Sequence, residues 1–306
     1  MSTTCSQKSA DILIFDRDLI KNNRIRAQKN FHDYDFLFRW SKDILHDRLL
    51  DINRTFNTAI QIGSRGTFFE AEHPKIKDLH TMDLTPFPVV SGAPRYIQAS
   101  EEFLPIKSSS VDLIVSNLNI HTVNDLPGTL IQIKQSLKPD GLFIASMLGG
   151  ETLHELRKVM QDTEIEMFNG ISPRIAPFAD KQQIGDLMQR AGFALPVIDS
   201  EIITVTYDNV FKLFRDLRGM GENNAILNRD KRPLTREYFM RVAQKYATEF
   251  SEEDGRIFAS FEIIFMLGWS PHSSQQKPLK PGSAKNRLAE ALGGIEHKTG
   301  EKAYHD

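Results

Sequence analysis

Short runs of branched residues alternate with longer stretches of helical periodicity through the middle of this chain, and that alternation limits its folds more than any other feature. TAIQIG (58–63), DLHTMD (78–83), RYIQAS (95–100), VDLIVSN (111–117) and LFIASM (142–147) read as strands. Between the last two lies DLPGTLIQIKQSLKPDG, a helix whose Leu126, Leu130, Ile133 and Leu137 share a face and whose stop signal is Pro139-Asp140-Gly141. ETLHELRKVMQ and ADKQQIGDLMQRAGF continue the helical half, and EIITVTY and SFEIIFMLGW return as strands. Strand–helix–strand units of this kind pack as a mostly parallel sheet with helices on both faces, so the sequence predicts an α/β, Rossmann-like, doubly wound sheet of seven strands.

The flanks differ in texture. Residues 1–57 read as an N-terminal helical segment, with Leu37, Trp40, Ile44, Leu45 and Leu49 at helical spacing, and the basic residues between Lys21 and Lys29 read as a solvated face. After a core at 58–207, residues 208–257 read as two helices joined by a polar loop, an inserted cap over the mouth of the sheet. A final core strand follows at 258–270, and 271–306, rich in Pro, Ser, Gly and Lys, reads as a loosely ordered tail. The formal net charge of −2 gives no global pull toward nucleic acid, and no apolar run is long enough for stable membrane insertion. The single cysteine, Cys5, fits a reducing compartment, and the expected location is cytoplasmic.

In an open parallel sheet, ligands collect beyond the carboxyl ends of the strands, where the first turn offers backbone N–H groups. Gly63, Ser64, Arg65 and Gly66 occupy that turn. Asp83, at the end of the second strand and 20 residues after Gly63, is placed to hold both hydroxyls of a ribose. Ser100 and Glu101, with Glu102, end the third strand on the same rim, and Asn117 to Asn119 end the fourth. Tight-turn glycines and a loop-capping Asp83 around an empty site would give the same pattern.

The strand order, the placement of Asp83, the phrase EEFLP and LKPDGLFIASM resemble the class I S-adenosylmethionine-dependent methyltransferase fold over about residues 58–269. IFDRDL, HTVNDLPGTLIQIKQSLKPDG, MLGGETLHELR, ISPRIAPFAD, DLRGMGENNA and MLGWSPHSSQQKPLKPGSA resemble, more narrowly, the bacterial relatives of a mitochondrial complex I assembly factor known as an arginine hydroxylase. A second likeness, mainly in the core, is to the malonyl-carrier-protein methyltransferase of biotin synthesis. The resemblance implies S-adenosylmethionine as cofactor, bound by Gly63, Ser64, Gly66, Asp83, Ser100, Glu101 and Asn117, and a protein substrate such as a complex I subunit.

Two departures from the family pattern stand at the first turn. Gln61 replaces the expected acid, and Arg65 adds bulk and charge where backbone should be open to a ligand. Arg65 pairing with Asp83 or Glu70 would close the pocket, so an enzyme with a preserved site and a binding factor with a vestigial one are both open.

For chemistry, His121 and Asp125 in HTVND are the candidates for a catalytic base or substrate contact; the alternative is a loop hydrogen bond from His121 and a helix cap from Asp125 or Asn124. No metal site is expected, since His154 and His272 are remote from these. In the cap, GMGENNA places Arg215, Arg218, Glu222, Asn223 and Asn224 around two glycines, read either as a lid for a protein substrate or as a helix end and its connection.

Overall fold

The computed structural model describes residues 13–65, 73–86, 95–276, 283 and 293–294. Gly66, Glu70, the first 12 residues with Cys5, and most of the expected tail lie outside the described residues.

The chain enters through α1 (Arg17–Ala27), a 3-10 segment (Gln28–Asp33) and α2 (Phe36–Asp51). The sheet then builds as β1 (Phe56–Ile62), β2 (Ile76–Asp83), β3 (Arg95–Gln98) and β4 (Val111–Ser116), followed by α3 (Leu126–Ser136) and β5 (Leu137–Leu148). Helices α4 (His154–Phe168) and α5 (Lys181–Arg190) precede β6 (Ala194–Tyr207); α6 (Val210–Met220) and α7 (Arg236–Glu249) precede β7 (Ile257–Trp269). The strand order is β3-β2-β1-β4-β5-β7-β6, with β1 to β5 parallel and β7 antiparallel to both neighbours. This is the mostly parallel, doubly wound sheet of seven strands that the alternation predicted, in the class I methyltransferase arrangement that the resemblance implied.

Period-2 alternation divides the core between the two faces of the sheet. On β4, Leu113 and Val115 join one cluster with Leu45 of α2, Val159 of α4, Leu213 of α6 and Tyr246 of α7. Its neighbour Ile114 turns the other way, onto Leu130 and Ile133 of α3 and Ile184 and Met188 of α5, joined there by Val111 from before the register shift. The N-terminal and cap helices therefore share one apolar layer with the sheet, and residues up to Pro271 form a single compact unit.

The structure corrects several local expectations. Leu137 leaves α3 directly into β5, and Pro139-Asp140-Gly141 fall in a bulge, where the pairing jumps from Val111↔Leu137 to Leu113↔Leu142. Strand β6 begins at Ala194, seven residues before EIITVTY; Pro196 had masked it, and an edge strand with a register shift there tolerates proline. Not all of the basic run is solvated, because Arg24 is only 3% exposed.

Candidate functional site

The turn after β1 closes on the end of β2. Gly63 has a φ of +73° and donates its N–H to the Met82 carbonyl at 2.7 Å. Asp83 is buried; one carboxylate oxygen accepts from the Arg65 N–H at 3.1 Å, and the other accepts from the Thr85 N–H and hydroxyl, both at 2.8 Å. Its acceptors thus hold the turn itself.

Asn119 explains why a glycine is needed at 63. A Cβ there would lie 2.0 Å from the Asn119 Cγ, so the space vacated by the missing side chain is occupied by Asn119. The Asn119 amide donates to Glu101 Oε1 at 2.8 Å. Glu101, fully buried, also accepts from Arg24 Nη1 at 2.8 Å and from Arg17. Burial alone would raise this carboxyl, but the two guanidiniums win and hold it down at about 2. Arg24 and Arg17 also reach the Thr122 hydroxyl and carbonyl, each at 3.0 Å, locking α1 onto the rim.

Arg65, with a φ of +41°, makes its side-chain hydrogen bonds to the cap and none to Asp83. It donates to the Met220 carbonyl at 2.6 Å and to Glu222 Oε1 at 2.5 Å, and its guanidinium lies 4.9 Å from the centre of the Phe38 ring. Glu222 Oε2 meets His121 Nε2 at 3.2 Å. Burial would raise the Glu222 carboxyl, yet Arg65 and then His121 hold it well below the usual range. His121 lines the adjoining cavity, packs edge-on against Phe178, and has a buried Nδ1 with no partner among the described residues.

That cavity has a volume of about 330 Å³. It lies between the N-terminal helices, the loops after β4 and β5, and α6, with mainly apolar walls such as Phe38, Leu148, Phe214 and Phe261. Glu222 is the one acid in its described lining, beside Arg24, Arg65, Arg174 and Arg218. Arg174 is already committed to Glu164 at 2.6 Å. Among the described residues no group of three His, Cys, Asp or Glu side chains could hold a metal ion.

Of the residues singled out from the sequence, His121 lines the cavity, while Gly63, Ser64, Asp83, Ser100, Glu101 and Asn117 do not. Asn117 is turned toward α2 and β5, donating to the Phe38 carbonyl at 2.9 Å and accepting from the Ser146 hydroxyl at 2.9 Å. The Ser100 hydroxyl accepts from the Glu102 N–H at 3.2 Å. Asp125 is exposed and caps α3, accepting from the Gly128 N–H at 2.8 Å. Asn124 Oδ1 accepts from the N–H groups of Ile14 and Phe15 at 2.8 and 2.7 Å, strapping the entry segment to the rim. Arg17 and Arg24 hold the rim although the sequence reads Arg24 as part of a solvated face and does not mark Arg17; their seven-residue spacing puts them on one face of α1.

An adenosyl cofactor does not fit the turn in this arrangement. Asn119 fills the cradle at Gly63, Asp83 is buried and accepts from the turn and from Thr85, and Glu101 is enclosed by two arginines.

Comparison with known proteins locates the chain by descent. Residues 5–196 match the family described as Methyltransferase domain. The mitochondrial arginine-hydroxylase NDUFAF5 of Homo sapiens is 39% identical over 297 residues, covering 92% of this chain and 84% of its own. The chain belongs to the methyltransferase-domain family, in the branch that holds these arginine-hydroxylases. A malonyl-[acyl-carrier protein] O-methyltransferase of Halorhodospira halophila is 27% identical over 287 residues, covering 90% of this chain and 95% of its own, so the second likeness reaches beyond the core. Among solved structures, the YcgJ protein of Bacillus subtilis matches with a TM-score of 0.50 at 14% identity over 76% of this chain and 98% of its own, a likeness of fold.

Proposed function

We propose that this protein is a binding factor of methyltransferase fold that engages a protein partner, a subunit of respiratory complex I, through the cavity under its cap, with its ancestral adenosyl site sealed. The observation that carries this reading is the Arg65 side chain, which runs from the glycine turn to Glu222 and Met220 of the cap. A ligand at the turn would have to break that buried pair, displace Asn119 and free Glu101 from Arg17 and Arg24. Removing one member of a buried ion pair costs about 3–5 kcal/mol, and micromolar cofactor binding is worth about 8 kcal/mol in total. The relatives' likeness supports the partner class, and a cytoplasmic location goes with it in this reading.

Calorimetric titration with S-adenosylmethionine and, separately, S-adenosylhomocysteine tests the seal. The expected result is no heat and no thermal stabilisation at millimolar ligand; micromolar binding overturns it.

A second reading, enzymatic, is favoured by His121. An imidazole on the cavity wall, with the Glu222 carboxylate on Nε2 and a buried Nδ1 that has no partner among the described residues, is oriented to present Nδ1 as a proton acceptor. It takes either a protein arginine or a malonyl carrier as substrate, with S-adenosylmethionine as donor and S-adenosylhomocysteine leaving in the methyl-transfer version, or with dioxygen and an external two-electron reductant in the hydroxylation, the second oxygen leaving as water. Mass spectrometry of each after incubation decides it: an added methyl group or oxygen that is lost in His121→Ala supports the enzyme, and unchanged masses remove it.

A further inference from the structure

Four exposed arginines on α1, α6 and α7 gather without ion pairs among the described residues. Several other arginines, inside the cap and outside it, sit on carboxylates: Arg39 on Asp35 at 2.9 Å, Arg54 on Asp140 at 2.7 Å, Arg232 on Asp230 at 2.8 Å, Arg241 on Glu237 at 2.8 Å and Arg256 on Asp254 at 2.7 Å. Arg26 of α1, Arg215 and Arg218 of α6 and Arg236 at the start of α7 are exposed, and none makes an ion pair or hydrogen bond among the described residues. Arg215 and Arg218 are three apart on one helix, where like charges repel.

These four line two surface grooves that meet. One has Arg215, Arg218 and Arg236 over a floor of Phe211, Phe214, Phe239 and Met240. The other has Arg26, Arg215 and Arg218 beside Tyr34 and the polar Asn23, Asn30 and Asn223. No acid occurs in the described lining of either groove, and Asp216, the acid on α6 between the two arginines, lines neither. Arg218 belongs to both grooves and also to the wall of the buried cavity, so it marks the place where the surface track meets the cavity mouth.

We propose that the two grooves form one track for an acidic, extended segment of the partner protein. Carboxylates of that segment pair with Arg215, Arg218 and Arg236, and an apolar side chain between them lies on Phe214 and Phe239. Phe211, 44% exposed, and Met240, 52% exposed, seat an apolar side chain; a single-stranded nucleic acid would match the charge and stack on the rings, and the oligonucleotide arm of the test separates it from a peptide. The proposal deepens the partner-binding reading above and rests on it: the track supplies the chemistry by which the cap selects its partner, and it delivers the bound segment to the mouth at Arg218.

The test uses the full chain and a fluorescein-labelled peptide of alternating Glu and Leu, read by anisotropy, with a Gln/Leu peptide and a single-stranded oligonucleotide as comparisons. The Glu/Leu peptide is expected to bind at low salt and weaken as salt rises. R215Q/R218Q should weaken it by about ten-fold or more, while the R241Q control changes it less than about two-fold. Circular dichroism establishes that each variant is folded; if R215Q/R218Q is not, R236Q and R26Q singly provide the same reading. Equal binding by the arginine variants, equal binding of the Gln/Leu peptide, or an oligonucleotide that binds more tightly with the same arginine dependence each overturns the proposal. The two readings fail separately. Heat from S-adenosylmethionine with peptide binding intact defeats only the sealed site, and lost peptide binding with no such heat defeats only the track.

Discussion

Arg24 and Glu101 carry the strongest residue-scale consequence. Both are buried, at 2.8 Å, and Arg17 and Asn119 are the other partners of Glu101. Arg24→Met should leave that carboxylate poorly compensated and lower unfolding stability by about 3–5 kcal/mol, read from urea transitions. The double variant Arg24→Met/Glu101→Leu should cost less than the single one; a double variant as unstable as the sum would refute the pairing argument. The pH dependence follows from the same group. The folded Glu101 carboxyl lies at about 2, below its ordinary 4.5. A depressed carboxyl contributes stability that is fully present above pH 4.5 and is lost as pH falls toward 2, so acid titration of stability should steepen in that window. The difference corresponds to about 3 kcal/mol as an order of magnitude, and Glu101→Gln should flatten it. At this scale the sequence revealed Glu101 but not its partners, because a helix 77 residues earlier supplies Arg24 and only tertiary packing brings the two together.

Among the elements, α6 shows how the cap is fastened. Two glycines close its end, and they do different things. Gly221, with a φ of +77°, ends the helix in the left-handed conformation, as the sequence suggested. Gly219 lies inside α6, where a Cβ would come within 2.1 Å of the Tyr34 ring. Its absence of a side chain is what lets the cap sit on the 3-10 segment after α1. Gly219→Ala should therefore destabilise by about 1–3 kcal/mol through overpacking, despite alanine's better helix propensity, in thermal melts. A stabilised variant would show that Tyr34 swings aside. Helix and strand identities were legible because periodicity is local: Leu37, Leu45 and Leu49 mark the inner face of α2 from spacing alone. The Asp125 cap was legible for the same reason. The run from Arg65 to Glu222 was not, since it joins residues 157 apart and periodicity carries no information about which charge finds which.

For the molecule as a whole, the N-terminal helices, the sheet and the cap share one apolar layer, in which Phe38, Leu113, Tyr238 and Phe261 are all buried. A cap built as a separate body would melt first. Here unfolding followed by far- and near-ultraviolet circular dichroism should give one coincident transition, and an early loss of helix signal ahead of the tertiary signal would contradict the shared core. The fold class was readable from the alternation of elements, whereas the sealing of the turn depended on side chains meeting from five separate segments.

Strand β7 lies between β5 and β6 and pairs along both edges, from Leu142↔Trp269 on one side to Tyr207↔Ile257 on the other. Synthesis proceeds in the opposite order, with both neighbours made long before residue 257. Until it arrives, β5 presents an open, apolar edge from Leu142 to Leu148 and β6 has no sheet to join. A nascent chain stalled or cut before this strand is thus a half-sheet with a sticky margin, and its fate rests with holding chaperones and proteases.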